Sequence, residues 1–138
     1  MAHLLRRKGI VHEYESRFYG IIYLPPGELA IRWGGFCPDF YLPPTAFRPG
    51  MNIELTFADR GLPTMSQHQR AANLRRLQLK RLKIALTRER YGIETILITR
   101  DIFSKLRRDD RHLDRLIRNA TIRHERSLRR DTPQLDVA

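Results

Sequence analysis

Two carboxylates stand out in this chain. Asp39 lies in the run Cys37-Pro38-Asp39-Phe40-Tyr41-Leu42-Pro43, and Glu54 in Asn52-Ile53-Glu54-Leu55-Thr56-Phe57. Strand alternation puts Ile53, Leu55 and Phe57 on one face of the second run, and Asn52, Glu54 and Thr56 on the other. In the first run Pro38, Phe40 and Leu42 share one face, while Cys37, Asp39 and Tyr41 share the opposite one. Each acid therefore sits on the polar side of an apolar strand, where strand pairing could bring the two together. Acids so placed repel unless something positive lies between them, and a hard divalent cation is the usual solution.

These acids are set in a strongly basic background. The chain has 138 residues, with 26 Lys plus Arg against 15 Asp plus Glu, for a net charge of +11. That length suits one domain with a real core. The charge excess points to a polyanionic partner, most simply nucleic acid, with an anionic membrane surface or simple solubility as alternatives. A single cysteine, Cys37, excludes an internal disulfide and a cysteine-based zinc site. The five histidines, His3, His12, His68, His112 and His124, show no metal-ligand spacing. No apolar run approaches a membrane span and no apolar leader is visible, so the expected location is the cytoplasm.

The elements that must position the acids follow from local patterns. Residues 2–8 suit a short helix stopped by Gly9. Residues 10–24 are rich in β-branched and aromatic side chains and predict a strand. Pro25-Pro26-Gly27 is a turn, 28–33 a second strand, and Gly34-Gly35 a tight turn before the Asp39 strand. A loop from Pro43 to Gly50 leads to the Glu54 strand, so this half predicts an antiparallel meander. A helix capped by Thr64 or Ser66 then runs to about Arg90, with Gly92 just past its end. Its apolar arc (Leu74, Leu77, Leu79, Leu82, Ile84, Ala85, Leu86) is wide. Asn73, Arg76, Lys80, Lys83 and Thr87 form a polar, mostly basic stripe. Residues 93–99 predict a strand buried on both faces. A last helical region starts near Asp101, a candidate cap, and runs to about Arg130. There Phe103, Leu106, Leu113, Leu116, Ile117 and Ala120 make one stripe, opposite Arg107, Arg111, Arg115 and Arg118. The layout is α+β: a core over 1–100 with a mixed sheet of four to five strands flanked by helices, a basic helical extension over 101–130, and a disordered tail over 131–138.

At these residues the chain resembles the PD-(D/E)xK nuclease superfamily, whose fold is restriction-endonuclease-like. The resemblance rests on Tyr14-Glu15, then Pro38-Asp39-Phe40-Tyr41-Leu42-Pro43, then Ile53-Glu54-Leu55-Thr56, then a Lys/Arg-rich helix. It covers roughly residues 1–103 and is similar to small uncharacterised bacterial members, with Vsr-like and transposase-associated endonucleases more distant. It implies Mg²⁺- or Mn²⁺-dependent cleavage of phosphodiester bonds in DNA, alone or within a larger DNA-processing assembly. Asp39, Glu54 and the Leu55 carbonyl would hold the ion, with Glu15 as a further ligand. Such an ion polarises the phosphate and lowers the pKa of a water. The motif's lysine falls at position 56, where this chain has Thr56. Lys80 and Lys83 on the following helix are the candidates to replace it, with Thr56 positioning a water. Arg76, Arg107, Arg111, Arg115 and Arg118 are the expected contacts to the nucleic-acid backbone.

Each feature also has a plainer explanation. Asp39 could begin a turn, and Glu54 could be one exposed residue of a half-buried strand. The basic stripe could be a solvated helix face, and Trp33 and Tyr41 could be core rather than base-stacking residues. Cys37 suits a small buried residue, and His68 has no evident site role. Two alternatives to an active nuclease follow. One is a nucleic-acid-binding module that keeps the fold without the chemistry. The other is an assembly subunit, homodimeric or within a larger complex.

Overall fold

Phe40, Leu42, Met51, Ile53, Ile96 and Ile98 recur at every second position of three segments and are all buried. Alternation gives them a common apolar face, which seeds the core. The computed structural model describes residues 1–14, 38–56 and 65–131. In chain order they form α1 (Ala2–Arg7), β1 (Glu13–Tyr14), β2 (Phe40–Leu42), β3 (Met51–Leu55), α2 (Gln67–Tyr91), β4 (Glu94–Ile98), α3 (Arg100–Arg108) and α4 (Arg111–Asp131). The expected strand at 28–33, its flanking turns, most of the expected strand at 10–24, the Thr64 cap and the tail at 132–138 lie outside the described residues. So do Glu15, Trp33, Cys37 and Phe57.

The sheet of the described residues is four-stranded, mixed and open, in the order β1-β2-β3-β4. β1, β2 and β3 pair antiparallel, whereas β3 and β4 run parallel. Parallel pairing needs a crossover, and α2 supplies it. On the apolar face, Leu5 of α1, Leu106 of α3 and Leu113 and Ala120 of α4 complete the core. Lys8 Nζ ties the end of α1 to Asp114 of α4 at 2.9 Å. The opposite face carries Asp39, Tyr41, Asn52, Glu54 and Thr95 and is approached by α2, whose Lys80 reaches Glu54.

Both ends of α2 have sequence causes. Ser66 is the cap: its hydroxyl accepts from Gln69 N–H at 3.2 Å, and Gln69 Oε1 accepts from Ser66 N–H at 2.9 Å. This reciprocal box satisfies two amides that the helix itself cannot. Gly92 closes the helix at φ 64°, a left-handed conformation that costs glycine nothing. Ser66→Ala should lower stability by about 1 kcal/mol, read as a shift in the urea midpoint at unchanged slope. The helix's wide apolar arc is only partly used: Leu77 is buried, whereas Leu74 is 54% exposed.

The last helical region is two helices, not one. Asp109 Oδ1 accepts from Arg111 N–H at 3.0 Å, and its carboxylate also takes the Arg111 guanidinium at 2.9–3.2 Å. A short polar side chain that bonds the backbone two residues on competes with helix propagation and breaks it there. Thr99, not Asp101, caps α3, its hydroxyl accepting from Ile102 N–H at 3.4 Å. Both helices still turn the expected stripe to the sheet: Leu106, Leu113 and Ala120 are buried, and Phe103, Leu116 and Ile117 pack beside them.

Candidate functional site

Asp39 sits at the entry of β2 and Glu54 near the end of β3, adjacent strands whose register pairs Phe40 with Ile53. Each acid is tied to the other's strand. Leu55 N–H donates to Asp39 Oδ2 at 2.7 Å, and Asp39 N–H donates to Glu54 Oε2 at 3.2 Å. Lys80 enters from α2: Nζ lies 2.7 Å from Glu54 Oε1 and donates to the Leu55 carbonyl at 2.6 Å. Thus the strand pair brings Asp39, Glu54 and the Leu55 carbonyl together, and the helix adds one ammonium. Thr56, buried on the face of Glu54, anchors β3 to β4 through its N–H to the Ile98 carbonyl at 2.9 Å.

Electrostatically, Glu54 is the strained member. Its carboxyl is pushed above the usual carboxylate range, first by burial and then by the nearby Asp39; the Lys80 ammonium and the Asp39 amide oppose the shift. Burial outweighs the ion pair because the Glu54 side chain is 7% exposed while Lys80 is 32% exposed and partly hydrated. The native state therefore holds a proton on Glu54 over a pH interval in which the unfolded chain has released it. Stability from this group is greatest below the ordinary carboxylate range and is lost as pH rises through the raised value. Urea unfolding across that interval should show a falling stability that Glu54→Gln flattens. Asp109 has the opposite sign: Arg111 holds it down to about 2, so its contribution fades as pH falls toward that value. Solvent around the pair, whose Arg111 side chain is 84% exposed, keeps that contribution small.

The other expected residues divide clearly. Arg76 and Lys83 line a cleft of about 520 Å³ beside Lys80, together with Asn73, Met65 and Leu79. Thr87, the last of the stripe, is fully buried and its hydroxyl donates to the Lys83 carbonyl at 2.7 Å. The stripe is therefore turned toward the acids' face of the sheet. Arg107, Arg111, Arg115 and Arg118 are exposed on α3 and α4, which cover the opposite face. They do not converge on the acids, and the Arg111 guanidinium is taken up by Asp109. Tyr41 is core, 6% exposed; its ring leaves no room for a Cβ at Gly50, which explains that glycine. His68 is exposed in the first turn of α2.

Two polar features lay outside the sequence expectations. Glu94 is buried on β4, with Arg123 Nε donating to it at 3.2 Å and Arg88 Nε 2.8 Å away. The Arg88 contact is electrostatic, since its geometry does not make a hydrogen bond. This cluster ties the end of α2 to α4. Asn52 and Thr95, paired in register, are buried with side-chain polar atoms that have no hydrogen-bond partner among the described residues. They extend the polar face inward from Glu54. The signal for them was present, because Asn52 shares the alternation phase of Glu54.

The donor set at Asp39, Glu54 and Leu55 is all oxygen, the type that Mg²⁺ and Mn²⁺ prefer. Among the described residues no group of three or more His, Cys, Asp or Glu side chains is gathered anywhere. Two carboxylates are nonetheless a fitting set for Mg²⁺, which is usually held by one or two carboxylates plus substrate phosphate and keeps several waters. No protein-family model matches this chain, and no curated protein or solved structure matches it. No helix of the described residues is long and apolar enough to cross a membrane.

Proposed function

We propose that this chain is a divalent-metal-dependent endonuclease of the PD-(D/E)xK type, acting on nucleic acid, with DNA the first substrate to try. The single observation that carries the reading is Lys80, which comes from α2 to within 2.7 Å of Glu54 and 2.6 Å of the Leu55 carbonyl. An amine at that place answers the absence of a lysine at position 56. Asp39, Glu54 and the Leu55 carbonyl would hold Mg²⁺ or Mn²⁺. When bound, such an ion polarises the phosphate and makes a water nucleophile available near neutral pH.

The chain's own residues do the rest. Asp39 is oriented by the Leu55 amide and Glu54 by the Asp39 amide, while Glu54 Oε1 and the Leu55 carbonyl are held by Lys80, which would have to shift to admit an ion between them. Lys80 spends two donors on Glu54 and Leu55, and an ammonium has a third to offer a phosphate oxygen or the attacking water. Arg76 and Lys83 add positive charge along the cleft that the substrate backbone would follow. Metal binding needs Glu54 ionised, so it should strengthen as pH rises through that group's raised value.

Supercoiled plasmid should be nicked in Mg²⁺ or Mn²⁺, and a chelator should stop it. Lys80→Met should slow nicking by roughly 10²-fold, the scale for losing one group that stabilises transition-state charge. It should also move the pH profile upward, since Glu54 loses its opposing charge. Nicking that survives chelation, or none with any ion, contradicts the reading.

One observation favours a second reading. Lys80 already neutralises Glu54 with no ion required, as a purely structural pair would. A nucleic-acid-binding or assembly subunit of the same fold would then bind in a salt-sensitive way without cleaving.

A further inference from the structure

Apart from the acids, the feature with most chemical variety is the cleft of about 520 Å³ beside Lys80. Its volume lies within the roughly 300–1,000 Å³ of sites that enclose a small ligand. Three kinds of group share its wall: the cations Arg76 and Lys83, the amide of Asn73, and the apolar Met65 and Leu79. Arg76 is exposed and has no ion-pair partner among the described residues. Asn73 Nδ2 donates to the Met65 sulfur at 3.2 Å. A thioether is a weak acceptor, so a carbonyl or ring nitrogen would be a favourable exchange.

We propose that this cleft seats one unpaired nucleotide beside the bond at Asp39 and Glu54, so that the substrate is single-stranded or locally unpaired. Arg76, with Lys83, meets the phosphate. The base lies against Leu79 and Met65, and Asn73 turns from the sulfur to the base edge. A paired base is inside its stack, and a recess of this size receives a base only once it has left the stack. A cleft built only for duplex phosphates would need neither the apolar wall nor the amide. This inference rests on the nuclease reading for its position next to a scissile bond, but its binding claim is read separately.

The test is fluorescence anisotropy of a labelled short oligothymidylate and of a hairpin duplex, in chelator, so that no cleavage can occur. The expected result is that Leu79→Ala, which removes the apolar wall against the base, weakens the single strand on the order of tenfold, the scale of losing one base contact. Duplex binding should change little. Arg76→Ala should reduce the salt slope for the single strand by about 0.7, one phosphate contact. Arg76→Glu, at an exposed position, carries the test if circular dichroism shows that Leu79→Ala disturbs α2; it should weaken the single strand more than the duplex. Wild-type affinity in these variants, or equal weakening of both nucleic acids, overturns the proposal. A protein that binds this way but never cleaves retains the nucleotide seat and loses only the nuclease reading.

Discussion

Asp39→Asn and Glu54→Gln should each reduce Mg²⁺-dependent nicking by at least about 10²-fold, the scale for removing one preorganised electrostatic group. The amides keep the shape of the acids. The Asp39→Asn side chain retains an oxygen to accept the Leu55 amide now held at 2.7 Å. The Glu54→Gln side chain likewise retains one for the Asp39 amide at 3.2 Å. What each loses is a negative charge and a hard ligand. Glu54→Gln also removes a buried carboxylate whose ionisation the fold disfavours, which offsets the loss of the Lys80 pair, so the variant should unfold close to the wild type near neutral pH. Loss of nicking without loss of stability is therefore the expected pattern. Unchanged nicking in both variants contradicts the assignment of these acids.

Ile53→Ala should cost about 2–5 kcal/mol, a large part of the roughly 5–15 kcal/mol that holds a domain together. Ile53 is completely buried on the central strand pair, in register with Phe40 on one side and Ile96 on the other. Leu106, Leu113 and Ala120 belong to the same cluster, on helices set against neighbours that a vacated side chain cannot easily draw inward. The loss is the transfer term plus the cavity left behind. Urea denaturation should show a lowered midpoint at an unchanged slope. A change under about 1 kcal/mol would mean that the sheet face is less tightly packed than its burial indicates.

How much of this was legible in the chain depends on the range of the interaction. The meeting of Asp39 and Glu54 could be anticipated because alternation fixes a face from the residue types alone. The bounds of α2 were legible to within a few residues, because a capping hydroxyl (Thr64 or Ser66) and Gly92 act within a turn of their own positions; the structure shows Ser66, boxed by Gln69, as the cap. Lys80 could be named from helical spacing, but not chosen over Lys83 until the crossing of α2 over β3 was known.

Long-range pairings were not legible. Glu94 is buried and is met there by Arg88 and Arg123, from two different helices. Arg76 of the α2 stripe and the arginines of α3 and α4 were all expected to contact a nucleic-acid backbone. The sheet separates them, since α2 meets its polar face and α4 its apolar one. The break at Asp109 was missed for the reverse reason. Its cause is local, one carboxylate bonding the Arg111 amide, but an uninterrupted apolar stripe on both sides disguised it.

Catalysis of the proposed kind depends most on whether Asp39 and Glu54 hold a hard cation. Mn²⁺ titration followed by electron paramagnetic resonance, at neutral pH with no nucleic acid, measures this directly. The expected result is saturable binding by the wild type, weakening as the pH is lowered, and lost in folded Asp39→Asn and Glu54→Gln proteins. Wild-type protein that leaves all Mn²⁺ free, or variants that bind it as the wild type does, would contradict it.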